Sequence, residues 1–492
     1  MGKSRNRLNR RTFLTAAVTS VAAPALLRAD EAKTAADGDR VVLRAGASTA
    51  KITPAIGVSL EGYFMKLGPV EAVHDDLYAR ALVLDDGNQR IALCVCDLTV
   101  VPGEYFDRAK QIVQRETGLP PCRMLMSATH THAAPRVGLG AGELDKQFYE
   151  MLVRQIAAAV IQATRQLAPA KIGWGSGRKP EYCHNRRWWM KPGTIPPNPF
   201  GETSDRVRFN PPRGSADLVR PAGPVDPEIG VLSVRHADGS PLAVLANFSI
   251  HYVGGYERRQ VSADYFGVFS RQLGERLNSG PGRPPFVGML SNGTSGNIGA
   301  GTDFRQAPDK IQPWTRMEDV GAAVAAEVSR VVDAIDHRSS ATLAMGERDI
   351  ELAVRRPDSD RIGWAKTVQA GQIQSVHPWT PIYANEALLL SEYPETVSVK
   401  LQAIRVGDLL IGAIPCEVFA ETGLALKQAS PSDSTFLIEL ANQYHGYLPT
   451  PEQHALGGYE TWDARSSCLE RFADPKIRAT LVELFHDVMP GK

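Results

Sequence analysis

Cysteine is sparse: the 492 residues hold six, at positions 94, 96, 122, 183, 416 and 468, and no C-x-x-C pair. That excludes a zinc finger, a redox C-x-x-C motif and a small disulfide scaffold. Cys94 and Cys96 fall on one face of an apolar strand and read as small core residues, while a bridge between the more distant cysteines stays open. Charge of one sign is missing too. Lys and Arg number 55 against 54 Asp and Glu, a net charge of +1. This removes the electrostatic basis for a nucleic-acid partner or a strongly acidic ligand. Beyond the amino-terminal segment no apolar run is long enough to span a bilayer, and 43% hydrophobic with 22% charged residues suits a globular core. No internal repeat is present, and nothing in the composition points to a protein partner.

The amino-terminal stretch reads MGKSRNRLNRRTFLTAAVTSVAAPALLRAD, with basic residues ahead of an apolar run from Thr12 to Leu27. This is the pattern of a secretory signal. Arg10-Arg11 followed by Phe13 and Leu14 matches twin-arginine export; an ordinary signal with a chance arginine pair is the alternative. Residues 1–29 are therefore expected to be signal and leader, cleaved after Ala25 or Ala29. One large domain is expected over 41–492, in a periplasmic or secreted protein.

Strand and helix periodicities alternate. Turn sequences at Asp85–Asn88, Ala237–Ser240 and Gly407-Asp408 each join two apolar runs and predict hairpins. Further strands are predicted over Arg123–Met126, Phe286–Leu290 and Thr435–Leu440. Leu144, Phe148, Leu152, Ile156, Val160, Ala163 and Leu167 recur at steps of three and four, as do Val320, Val324, Val328, Val331 and Ile335. Shorter helices are predicted over Tyr105–Glu116, Tyr265–Leu277, Val418–Gln428 and Ile477–Val488. The alternation predicts an α/β fold of layered mixed β-sheets flanked by helices. Pro192–Pro227 breaks the pattern with nine of the 34 prolines. Such a segment is a surface loop, either a pocket wall or lid or a disordered insert.

Five apolar strands run into polar clusters: Ser127–Pro135 (SATHTHAAP), His251-Tyr252, Ser291–Asn297 (SNGTSGN), Pro415-Cys416-Glu417 and Ala441–Tyr447 (ANQYHGY). In α/β folds the carboxyl ends of strands form the rim where ligands bind. His130 and His132, two apart in extended chain, face one side. A catalytic zinc takes three protein ligands of the His or carboxylate type and keeps a position for water. His130, His251 and Glu417 would supply that set. Alternatively, His251 is a hydrogen-bonded core histidine, and Glu417 a carboxylate at the start of the Val418–Gln428 helix.

HTHAAP, His251, SNGTSGN, PCEVF and NQYHGYLPTPEQ ending in Gly457-Gly458-Tyr459-Glu460 together resemble the ordered motifs of the neutral/alkaline non-lysosomal ceramidase family. The resemblance spans Ala45 to Tyr459. It implies a catalytic domain with a deeply set zinc that hydrolyses the N-acyl amide of ceramide, a lipid amide met with peripheral membrane contact. It implies His130, His251, Glu417 and Tyr447 as Zn2+ ligands, and His132 as the neighbour contacting substrate or its oxyanion. Ser295 matches the active-site serine, Tyr459 a tyrosine lining the site, and Arg186 the arginine near the reacting carbonyl, with Arg187 as the other match. From its own residues, Ser295 reads equally as a turn serine in a Gly-rich loop or a nucleophile. The sequence departs from the family at Ala133-Ala134, which replace Ser-Gly, and no run of short strands follows Tyr459 to build the C-terminal immunoglobulin-like domain of typical ceramidases.

Overall fold

A computed structural model describes residues 42–62, 65–138, 140–277, 285–300, 303–307 and 312–489. The signal and leader expected at 1–29 lie outside the described residues.

The three predicted hairpins form. Tyr78–Asp85 pairs antiparallel with Arg90–Cys96, Glu228–His236 with Pro241–Phe248, and Thr396–Val406 with Leu409–Ala413. In each case the second strand is followed by a helix and then a parallel partner. Arg90–Cys96 passes through helix Gly103–Thr117 to Met124–Ala128, and Pro241–Phe248 through Asp264–Leu277 to Val287–Asn292. Leu409–Ala413 passes through Ala420–Ala429 to Ser434–Ile438. Parallel pairing requires such a crossover, because a tight turn cannot bring the chain back to the same end of the sheet.

These units sit in two sheets. One has eight strands, in which Arg44–Lys51 and Ala168–Arg178 join the first two units; the other has four, ordered Leu343–Ala353, Thr396–Val406, Leu409–Ala413, Ser434–Ile438. Alternate side chains of both, among them Leu82, Leu93, Leu232, Leu245, Ile404, Ile411 and Phe436, share one buried cluster, so the sheets pack face to face. The outer faces bury helices. Helices Gly103–Thr117 and Glu143–Arg165 cover one half of the large sheet, and Asp264–Leu277 and Thr315–Ala334 the other. Ala473–Val488 covers the small sheet. Residues from Val42 onward thus form one compact unit of layered mixed sheets flanked by helices.

Local differences have physical reasons. In helix Glu143–Arg165 the stripe Phe148, Leu152, Ile156, Val160 and Ala163 is buried, but Leu144 in its first turn lies against the loop at Gly57 and is 44% exposed. All six cysteines are free thiols. Cys94 and Cys96 are buried with sulfurs 4.0 Å apart, on one face as expected. Part of the proline-rich segment is ordered into strands: Val207–Phe209 and Leu218–Pro221 both pair with Arg187–Met190. It is a wall, not a disordered insert.

Candidate metal centre

The carboxyl ends of the three parallel pairs meet. Asn442 N donates to Met126 O at 2.7 Å, Glu439 N to Asn292 O at 3.1 Å, and Gly296 N to Val418 O at 2.7 Å. Strand ends from both sheets are thereby tied to one place. Gly296 makes the closest approach possible: a Cβ there would lie 2.5 Å from Glu417 O.

Three histidines converge on this place. His130 Nε2 lies 3.1 Å from His251 Nε2 and 3.2 Å from His132 Nε2. The His130 Nδ1 atom is 2.8 Å from Thr99 O, and His251 Nδ1 is 3.2 Å from Ser295 O. Carbonyl oxygens only accept, so both Nδ1 atoms carry the proton and both Nε2 atoms present bare lone pairs to one another. Two lone pairs at 3.1 Å repel unless a cation stands between them. Glu417 Oε2 lies 3.3 Å from His130 Nε2 and 3.8 Å from His251 Nε2. That oxygen is buried and accepts no hydrogen bond. Nitrogen and oxygen ligands about 2.0–2.2 Å from one tetrahedral ion are separated by about 3.3 Å, the spacing seen here. The residues present fit a metal ion.

Electrostatics favour the same reading. Burial holds His132 and His251 well below the ordinary histidine range, with the Arg186 charge adding to it, so both are neutral at physiological pH. Burial pushes the Glu417 carboxyl up, and the Arg186 charge and the Tyr444 hydroxyl, which donates to Oε1 at 2.8 Å, act in the opposite direction.

The remaining expected residues surround this centre. Tyr447 is the register partner of Glu417 in a short parallel pair, and its hydroxyl accepts from Arg186 Nη2 at 3.0 Å. Arg186 also donates to Gly296 O at 2.7 Å and to Glu460 at 3.2 Å. Arg187 turns away. It donates to Glu460 at 2.7 Å, to Gln453 at 3.0 Å and to Gly457 O at 2.6 Å, holding the loop behind the site. Arg186 is the arginine that faces the centre. The His132 ring stacks on Tyr252 at 3.7 Å. Ser295 is fully buried, its Oγ donating to Glu439 Oε1 at 2.6 Å and lying 3.4 Å from His251 Nδ1. Tyr459 packs edge-on against Tyr447 at 5.7 Å.

Beyond Tyr459 opens a cavity of about 390 Å³, lined by Ile195–Pro197, Asp205, Val207–Asn210, His377–Trp379, Gly458, Tyr459 and Trp462. Its walls include the rings of Phe209, Trp379, Tyr459 and Trp462 and come in part from the proline-rich segment. Phe209 lines this cavity, and its ring lies 4.9 Å from the Arg186 guanidinium.

Two sequence expectations need correction. His130 and His132 do not meet by extended alternation: His130 has φ 70°, a left-handed bend at the strand exit. A β-carbon pays for that conformation in strain, which marks a position held by its surroundings. Glu417 is not the first carboxylate of a helix. It sits in a strand pair, and the helix begins at Ala420. The sequence reading also missed Tyr252, Tyr444, Glu439 and Glu460. Tyr252, Tyr444 and Glu460 stand inside the clusters and motifs named above without a role assigned to them; Glu439 is hidden in an apolar strand end, LIELA.

Comparison with known proteins agrees with this architecture. The crystal structure of neutral ceramidase from Pseudomonas aeruginosa superposes with a TM-score of 0.67 at 17% identity, covering 92% of this chain and 75% of that one. A ceramidase complexed with C2 gives 0.64 at 17% identity, covering 91% and 75%. These likenesses establish the fold. In sequence, the family model described as neutral/alkaline non-lysosomal ceramidase, N-terminal, matches residues 43–389. The match contains His130, His132, Arg186, His251 and Ser295, whereas Glu417, Tyr447 and Tyr459 lie past its end, in the part where only the fold carries the likeness. With most of its length matched, the chain belongs to the neutral/alkaline non-lysosomal ceramidase family.

Proposed function

We propose that this protein is an exported, zinc-dependent amide hydrolase that cleaves an N-acyl amide, N-acylsphingosine to sphingoid base and fatty acid. The observation that carries the reading is the buried set of His130 and His251 Nε2 atoms, both without protons, facing a Glu417 oxygen that has no hydrogen-bond donor. Tyr447 would complete the ligand set. When bound, zinc lowers the pKa of water to about 7 and polarises the amide carbonyl.

The chain's own residues do the rest. Arg186 holds its charge beside Tyr447, where it favours the phenolate form and offers donors to a developing oxyanion. His132, neutral and stacked on Tyr252, stands 3.2 Å from His130 and is placed to take up a proton and pass it to the leaving amine. Tyr459 separates the centre from the aromatic cavity, which would receive an apolar part of the substrate. A lipid substrate calls for peripheral contact with a membrane surface; among the described residues no helix is long and apolar enough to cross a membrane. The twin-arginine pattern at Arg10-Arg11 supports export of the folded chain.

A second reading has support in the modest size of that cavity, about 390 Å³: the same chemistry on a smaller N-acyl amide or an ester, such as an acylated amino sugar. Metal analysis of purified protein is expected to give about one zinc per chain, and well under one with no response to added zinc would overturn the metalloenzyme. Incubation with N-acylsphingosine against short N-acyl amines decides between the substrates. Ligand binding without product from any of them would leave a noncatalytic binding protein.

A further inference from the structure

Glu439 has no role in the family resemblance, yet it is fully buried where the two sheets meet. Three donors converge on its two oxygens. Oε1 accepts from Ser295 Oγ at 2.6 Å, and Oε2 accepts from Ser295 N at 3.2 Å and Val418 N at 2.7 Å. Only an all-acceptor group satisfies such a set; a carboxamide would turn an N–H toward one of the donors. Each donor belongs to, or adjoins, a residue that touches the metal centre. Ser295 approaches His251 Nδ1 with both its carbonyl, at 3.2 Å, and its hydroxyl, at 3.4 Å. Val418 follows Glu417 directly. One carboxylate therefore reaches two ligands, from different sheets, through a single intervening residue each.

The position of Ser295 carries a second point. Its hydroxyl lies at the Nδ1 edge of the His251 ring, while Nε2, on the opposite edge, faces His130 and Glu417. The ring stands between the serine oxygen and the place where an ion would be held.

We propose that Glu439 is a positioning residue of the metal centre: through Ser295 it fixes the tautomer and tilt of His251, through Val418 it fixes the backbone of Glu417, and Ser295 is a member of this relay rather than a nucleophile. The inference rests on the metal-site reading above. Ligand histidines are routinely oriented by an acceptor on their second nitrogen, and loss of such a partner costs about 10–100-fold in metal affinity.

The test measures zinc affinity by chelator competition for the wild type, Glu439→Gln, Ser295→Ala and the double variant, with the visible spectrum of the cobalt-substituted forms. Glu439→Gln is expected to bind zinc about 10–100-fold more weakly and to shift the cobalt bands, which a purely structural role would leave in place. Ser295→Ala is expected to weaken zinc by about tenfold and, once saturated with zinc, to hydrolyse substrate more slowly than the wild type without losing turnover. The double variant is expected to match Glu439→Gln, because residues in one relay do not add. Should Glu439→Gln fail to fold, Ser295→Ala alone carries the test. Wild-type affinity and spectrum in the single variants, multiplied effects in the double, or a zinc-saturated Ser295→Ala with no turnover would each overturn the relay. A wild type that binds no zinc would instead bring down the metal-site reading itself.

Discussion

Glu417 and Glu439 are both fully buried and both lie just past strands of the small sheet, Leu409–Ala413 and Ser434–Ile438, yet their surroundings are opposite. Glu417 faces His130, His251 and Arg186, and one of its oxygens accepts no hydrogen bond. Glu439 has both oxygens occupied by N–H and O–H donors, and among the described residues no ion pair involves it. Burial acts on both. It raises Glu439, against the pull of the donors on its oxygens, whereas at Glu417 the Arg186 charge and the Tyr444 hydroxyl work against it. Two acids in one neighbourhood with pKa values pushed apart hold different tasks. The one with an open oxygen fits the coordinating role proposed above, and the one with none fits the role of holding backbone.

The contrast can be broken most directly at the coordinating end. His130→Ala and Glu417→Ala are expected to lose bound zinc on dialysis and to slow hydrolysis on the order of a thousandfold or more; retention of both metal and turnover in either variant would remove it from the ligand set. At the framework end the expected losses are in stability. Arg187→Met leaves Glu460 buried with half its partners and should cost about 3–5 kcal/mol in denaturant unfolding while sparing zinc affinity. Arg186→Met is expected to show the reverse balance, with turnover falling more than stability. A smaller effect sharpens the Glu417 side: Tyr444→Phe removes the donor at Oε1 and should lower zinc affinity by up to about tenfold.

The smallest effect concerns pH. Lys110 is buried against Asn442 Oδ1 at 2.7 Å, in the loop that follows Glu439, and burial lowers its pKa to about 8. Between that value and the ordinary lysine value the unfolded chain binds more protons than the folded one, so stability from this group rises with pH across the window. At neutral pH the buried ammonium is a cost. Lys110→Met should therefore be more stable than the parent at pH 7 by about 1–2 kcal/mol, after loss of one hydrogen bond. The advantage should shrink above pH 8; a constant or growing gap would contradict the burial argument.

Much of this was legible from residue order. The hairpin turns and the 3.6-residue stripes located the strands and the principal helices, and the polar clusters after apolar strands located the centre, because parallel β-α-β units expose their carboxyl ends together. Helices Ser359–Gln369 and Thr380–Ser391 were missed; each lacks an apolar stripe on one side, being buried against its partner and the loops around it. The His130 bend could not be read either, since left-handed backbone at a non-glycine residue is imposed by the surrounding hydrogen bonds to Thr99 and Leu98 rather than by its own preference. Glu439 escaped because a single acid in an apolar run looks like a surface position until the second sheet is placed over it.

The candidate donors come from both sides of the sandwich: His130 and His251 follow strands of the eight-stranded sheet, and Glu417 follows Leu409–Ala413 of the four-stranded one. A bound cation would thus act as a rivet across the seam, and its binding energy would be shared with cohesion of the layers. At a thousandfold excess over its dissociation constant the metal would add about 4 kcal/mol to that seam. Withdrawing it should loosen this edge first, so amide exchange in Ser291–Asn297 and Ala441–Tyr447 would quicken before that of the helices outside.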